Sequence, residues 1–159
     1  MNVNGKNIIL RPLEESDLDF LYYIENNKEN WKYGGERQYF KKQDLLNYIR
    51  KAKTDIKIAQ QYRFVIIVNK IPIGLIDLFD YASNKANVGI IIKKKYRRKG
   101  YGKEALDLLV NYSFTILGIK KLFAMIEKNN LASIYLFKTC NFHLKQQKDN
   151  VQIFSKLAN

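Results

Sequence analysis

The feature that most limits what this chain can fold into is the junction that begins near residue 93. A strand-forming run from about Ala86 to Lys93 leads into Lys93-Lys94-Lys95-Tyr96-Arg97-Arg98-Lys99-Gly100-Tyr101-Gly102, after which Ala105, Leu108, Leu109 and Tyr112 recur at helical spacing. Lys121 to Glu127 then reads as a further strand. Strand, loop, helix and strand in that order predict a βαβ crossover, with the loop beyond the carboxyl end of its first strand. At such a place a helix start presents unpaired N–H groups and a partial positive charge. The two glycines let a ligand approach the backbone, and the flanking cations neutralise an anion. Arg97, Arg98, Lys99, Gly100, Tyr101, Gly102 and Lys103 are therefore the candidate phosphate-binding residues. A basic turn elsewhere would be ordinary solvated surface; its place between strand and helix makes it a site.

Two other phosphate loops fail on the same residues. A P-loop needs Ser or Thr after its Gly-Lys, whereas Gly102-Lys103 is followed by Glu104, so the magnesium-binding hydroxyl is missing. Gly100 to Ala105 satisfies the G-x-G-x-x-A dinucleotide pattern, with Glu127 as the ribose acid. That reading is rejected because hairpin strands precede the motif and too little chain follows for the remaining βα units.

The rest of the chain frames this junction. Asn7 to Leu10 reads as a short strand, and Ser16 as the cap of a helix running into Glu25 through Leu18, Leu21 and Tyr22. From Asn26 to Tyr39 the sequence is polar and aromatic around Gly34-Gly35, and a second periodic stretch carries Leu45, Leu46, Tyr48 and Ile49. The run Tyr62 to Val68 is apolar without alternation, which predicts a strand covered on both faces. Asn69-Lys70 is then a two-residue hairpin turn into a strand from Ile71 to Asp80, giving three consecutive antiparallel strands. Leu131 to Thr139 reads as a helix, and short strands near Phe142 to Gln146 and Val151 to Lys156 complete a mixed α/β sheet.

At 159 residues the chain is expected to form a single domain over 1–159. Its 28 Lys and Arg against 15 Asp and Glu leave a net charge of +13, which favours anionic partners without choosing among them. One cysteine, Cys140, and one histidine, His143, supply neither a disulfide framework nor a metal cage, so no metal is expected. No signal peptide or membrane-length apolar run is present, and a cytoplasmic protein without a membrane partner is expected.

Arg97-x-x-Gly100-x-Gly102 after an apolar strand resembles the acetyl-CoA signature of the GNAT acetyltransferase superfamily. A second block, Asn130 to Phe142, resembles that superfamily's later Asn-x-x-Ala or Ser helix, which ends in Gly-Phe. The opening Ile9 to Leu18 is similar to the start of the branch that holds ribosomal-protein and bacterial spermidine acetyltransferases. This resemblance implies an α/β (α+β) fold, a mixed and mostly antiparallel sheet flanked by helices and splayed open at the cofactor cleft. It implies acetyl-CoA as cofactor, with Ile90, Ile91 and Ile92 along the pantetheine arm and Asn130, Ser133 and Phe137 on the other side.

The implied reaction is direct acetyl transfer to the primary amine of a small molecule, such as a polyamine, or of a protein N-terminus. Phe137 stands where many relatives carry the acidic Tyr, and Tyr135 points elsewhere on the helix. Glu36 and Asp80 are the candidate bases, with Asp77 on the strand face opposite Asp80. Trp31, Tyr33 and Glu36 are the candidate acceptor residues, with Tyr39 nearby. Cys140 ends an apolar helix and is expected to be packing rather than a nucleophile. Relatives imply a homo-oligomer, a dimer in the simplest case, and nucleic acid is disfavoured as a partner. Two alternatives stay open: a basic nucleic-acid or ribosome-binding module, and a non-catalytic acetyl-CoA sensor on the same fold.

Overall fold

The computed structural model describes residues 2–29 and 39–159. In chain order the elements are β1 (Val3–Asn4), β2 (Ile9–Pro12), α1 (Leu18–Glu25), α2 (Lys42–Lys51), α3 (Ile56–Ala59), β3 (Tyr62–Val68), β4 (Ile71–Ala82) and β5 (Lys85–Ile92). They continue with α4 (Tyr101–Thr115), β6 (Lys121–Glu127), α5 (Leu131–Thr139), β7 (His143–Lys148) and β8 (Val151–Leu157). The strands form one open sheet in the order β1-β2-β3-β4-β5-β6-β8-β7. Every neighbouring pair is antiparallel except β5 and β6, which run parallel across the α4 crossover.

Hairpin chemistry sets the middle of the sheet. Asn69 and Lys70 take φ of 48° and 66°, and Ser83 and Asn84 take 52° and 62°, as two-residue turns between right-twisted strands require. Lys70 accepts this conformation although its side chain is a poor match for it. The unbroken apolar run of β3 is buried on both faces, with Phe64, Val65 and Ile66 all at 0% exposure. Phe64 and Ile66 join Ile76, Leu78 and Val88 beneath Leu106 and Leu109 of α4. Val65 and Leu75, directly paired, face Leu21 and Ile24 of α1 and Leu45 and Ile49 of α2. Each such side chain contributes roughly 1.5–3 kcal/mol by leaving water.

The N-terminal part departs from expectation. The first long strand is Ile9–Pro12 rather than Asn7 to Leu10, because Glu104 of α4 already takes the Asn7 N–H (2.8 Å) and side-chain amide (2.9 Å). Ser16 does not cap a helix. A 3-10 turn spans Glu15–Asp17, and Glu14 and Asp17 bond each other's backbone N–H groups reciprocally, so α1 begins only at Leu18. Neither β1 nor α3 was apparent from the sequence, being two and four residues long.

The sheet opens inside β5. Parallel pairing with β6 is confined to Lys85↔Lys121, Ala86↔Leu122 and Asn87↔Phe123. Beyond Asn87, β5 pairs with β4 as far as Ile92↔Gly74, while β6 continues along β8 to Glu127↔Val151. The expected splay is therefore present after this strand, between β5 and β6, and it begins beyond Asn87.

Candidate active site

The basic loop follows directly from the open part of β5. Lys93 N–H donates to Ile73 O (2.8 Å), and a 3-10 turn covers Lys94–Tyr96. Arg97 then turns back, its Nε donating to Ile92 O at 2.7 Å, so this residue ties the loop to the end of β5. Arg98 and Lys99 project as exposed cations, Arg98 at φ 60°. Gly100 takes φ 85° and a Cβ there would meet nothing within 4 Å, so backbone conformation rather than space selects glycine. The first bond of the α4 ladder runs from Glu104 N–H to Gly100 O (3.2 Å), which leaves the Tyr101, Gly102 and Lys103 N–H groups ahead of it.

Gly102 has a different reason. A Cβ there would lie 3.3 Å from Ile92 Cδ1 and 3.5 Å from Leu136 Cδ2, at the point where α4, α5 and the open end of β5 converge. Leu136 was missed from the sequence; one turn beyond Ser133, it was legible only with the helix face known. Lys103 is occupied along its own helix, its Nζ 2.8 Å from Asp107.

Across the opening, Asn130 caps α5 by accepting from the Ser133 N–H at 3.2 Å. Its neighbour Phe137 differs from expectation. That ring is 2% exposed and meets Phe142 edge-on at 5.0 Å, so it anchors α5 in the core and is closed to a ligand. Asn141 stands in the resemblance's glycine position with φ 66°, a conformation Asn tolerates better than other side chains. Tyr135 is 73% exposed, directed away as the helical spacing predicts. The Cys140 thiol is buried, and that burial, with Asp107 nearby, pushes it up to about 11, which disarms it as a nucleophile at neutral pH.

The acidic candidates separate by position. Asp80 lies at a bulge with φ 51°, exposed, beyond the Phe79↔Asn87 pair and away from the opened stretch of β5. Asp77 pairs with Gly89, inside the opened stretch, on the face covered by α1 and α2. Glu36, Trp31 and Tyr33 lie outside the described residues, and Tyr39 is exposed beside Tyr22. Sequence reading also missed Arg63 and Glu25, which form an ion pair at 2.6 Å next to Asp77 and the Tyr48 ring. The available signal was Arg63 as the one charge of the apolar strand β3; Glu25, at the end of α1, carried none.

This arrangement provides a helix start with free amides, cations at its rim, and a strand edge with unused backbone groups. It can hold a phosphorylated carrier with an extended arm. Among the described residues no group of three His, Cys, Asp or Glu stands ready for a metal. No helix among them is long and apolar enough to cross a membrane.

Comparison with known proteins agrees with this geometry. A family profile described as an acetyltransferase (GNAT) domain matches residues 7–143. The spermidine N(1)-acetyltransferase of Escherichia coli K12 is 28% identical over 144 residues, covering 89% of this chain and 76% of that protein. The structure of spermidine N-acetyltransferase from Vibrio cholerae in complex with CoA and spermine superposes with a TM-score of 0.85 at 26% identity, over 97% of each chain. RimL, a ribosomal L7/L12 alpha-N-protein acetyltransferase solved with coenzyme A, gives a TM-score of 0.87 at 12% identity, over 99% of this chain and 98% of that one.

Proposed function

We propose, from the premise that this chain belongs to the acetyltransferase (GNAT) family, that its acceptor is the primary amine of a small polyamine. The protein is an acetyl-CoA-dependent N-acetyltransferase. Acetyl-CoA supplies an acyl group activated as a thioester. The observation that carries the site assignment is the coincidence of the opened β5 edge with the α4 start and its free amides.

In this reading the diphosphate rests on the Tyr101, Gly102 and Lys103 amides, with Arg98 and Lys99 at its rim and Gly100 shaping the turn. Arg97 shapes the loop through Ile92 O rather than through its Nε meeting phosphate. Ile90, Ile91 and Ile92 offer the backbone along which the pantetheine arm lies, and Asn130, Ser133 and Leu136 form the opposite wall. An oriented backbone N–H of β5 polarises the thioester carbonyl. Transfer is direct, because Cys140 is buried and held protonated. The whole of 1–159 is read as one catalytic domain, working in the cytoplasm.

The polyamine assignment is supported by the spermidine acetyltransferases to which most of the chain aligns. The net charge of +13 opposes a cationic acceptor only weakly at a distance, since surface charges are screened beyond about 8 Å at physiological salt. Locally, Glu25 and Asp77 against Arg63 leave one negative charge in excess on the acceptor side when both are ionised. The likeness to RimL, at 12% identity, speaks for fold alone. The test is release of the CoA thiol with spermidine, spermine and putrescine, set beside peptides with free N-termini. Turnover is expected with the polyamines; peptides acetylated with the higher kcat/KM would overturn the acceptor assignment.

A further inference from the structure

The geometry points to Asp77 as the group that receives the acceptor's ammonium and takes its proton, with Gly89 and the Arg63–Glu25 pair as the residues that position it. This rests on the acetyltransferase reading above. It replaces Asp80, whose place at an exposed bulge is remote from the opened edge.

Three observations carry it. Asp77 is directly opposite Gly89 in the β4–β5 ladder, two residues past the last β5–β6 pair, so it sits where the two strands have just parted. Its carboxylate leans over Gly89 so closely that a Cβ there would come within 2.7 Å of Asp77 Oδ1. Any other residue at 89 would displace it. The third observation is electrostatic. Arg63 of β3, which pairs with Asp77 in register, gives its close ion pair to Glu25 of α1 at 2.6 Å. Among the described residues no hydrogen bond or close ion pair reaches the Asp77 carboxylate. Two carboxylates therefore share one guanidinium, Glu25 through a close ion pair and Asp77 through its charge, and it is Asp77 that faces the strand edge where the acyl group would lie.

Among the described residues the groups facing Asp77 are Arg63 from β3, Glu25 from α1 and Tyr48 from α2, whose ring lies beside the Arg63 guanidinium; opposite it on β5 is Gly89. Burial pushes Asp77 up, Arg63 pulls it down and Glu25 pushes it up again, which together leave it raised to about 6. A carboxylate so balanced is ionised at neutral pH yet basic enough to accept a proton, which suits general base work.

The step balances without any further reactant. The ammonium gives one proton to the Asp77 carboxylate, and the freed nitrogen lone pair forms the C–N bond to the thioester carbon as the C–S bond breaks. The second nitrogen proton passes to the departing sulfur, which leaves as the thiol, and Asp77 returns its proton to water.

The experiment is a pH profile of kcat/KM for spermidine with the full-length protein, in the wild type, Asp77→Asn, Gly89→Ala and Glu25→Gln, with acetyl-CoA affinity measured separately by calorimetry. Asp77→Asn is expected to lower kcat/KM by about 10²–10³-fold while acetyl-CoA affinity stays within about twofold, and to abolish an acid limb near pH 6. Gly89→Ala displaces the carboxylate without removing it, and should lower kcat/KM while leaving acetyl-CoA bound. Glu25→Gln should move the acid limb to lower pH, since Glu25 raises Asp77 and its loss also frees Arg63 to attract Asp77. This last variant decides the matter even if Asp77→Asn fails to fold. An unchanged acid limb in Glu25→Gln, or Asp77→Asn within about threefold of wild type, overturns the role of Asp77 while leaving the acetyltransferase reading intact. A wild type that neither binds acetyl-CoA nor acetylates any amine would overturn both.

Discussion

Gly102→Glu separates ligand binding from folding, because the structure predicts opposite signs for the two. The Cβ direction at Gly102 points at Ile92 Cδ1 (3.3 Å) and Leu136 Cδ2 (3.5 Å), so a long side chain has to enter the converging mouth of the splay. There its carboxylate would stand beside the amides proposed to hold a diphosphate, adding both bulk and repulsion. The same carboxylate in the first turn of α4 favours the apo helix by roughly 0.3–1 kcal/mol, and losing a helical glycine adds about as much again. The apo melting temperature of the variant should therefore equal or exceed that of wild type. Saturation of the wild type at 100 times Kd stabilises by about 2.7 kcal/mol, which for a chain of this size is a rise of about 5–11 °C. In Gly102→Glu that rise should vanish. Gly102→Ala is the control: its single Cβ is accommodated by a few tenths of an ångström at the Ile92 terminal methyl, so most of the rise should persist. Differential scanning fluorimetry with acetyl-CoA reads all three. A wild-type rise retained in Gly102→Glu would refute the assignment of the diphosphate to this helix start.

Phe142→Ala removes a ring that is 2% exposed and edge-on to Phe137. It should cost about 3–5 kcal/mol in urea unfolding, and a loss below about 1 kcal/mol would mean that α5 is not held by this pair. Glu104 accepts from the N–H groups of Asn7 (2.8 Å) and Ile8 (3.1 Å); burial raises its carboxyl, but these bonds outweigh it and leave Glu104 below its ordinary value. The stability it contributes is thus complete above the ordinary glutamate range and lost as pH falls through the depressed value. Glu104→Gln should lower the melting temperature at pH 7, and the difference from wild type should shrink below about pH 4. A difference constant across that range would refute the assignment.

Much of the fold was legible because it rests on local chemistry. The α5 bounds, the three-strand meander and β6 follow from periodicity, turn residues and caps within a few positions of one another. What failed were short elements stabilised from afar. The start of β2 depends on Glu104, nearly a hundred residues away, and β1 exists only because β2 is there to pair with it. The basic glycine loop was likewise readable as a motif, whereas the point at which β5 and β6 part was not. The apolar run through Ile92 looks continuous, and only pairing with two different neighbours shows where β5 and β6 part.

By itself the sequence determined the basic glycine loop, the strand–loop–helix frame and the buried place of the cysteine, because each depends on residue types and spacing along one stretch of chain. Tertiary structure alone decided which carboxylate reaches the opened edge, that Phe137 is core, and that Arg63 and Glu25 belong with Asp77. Alternation along a strand says that Asp77 and Asp80 face opposite ways. Which face is the reactive one depends on where the helices pack, and whether alternation holds at all depends on the register shift between Phe79 and Ala82, which shows only in the pairing with β5.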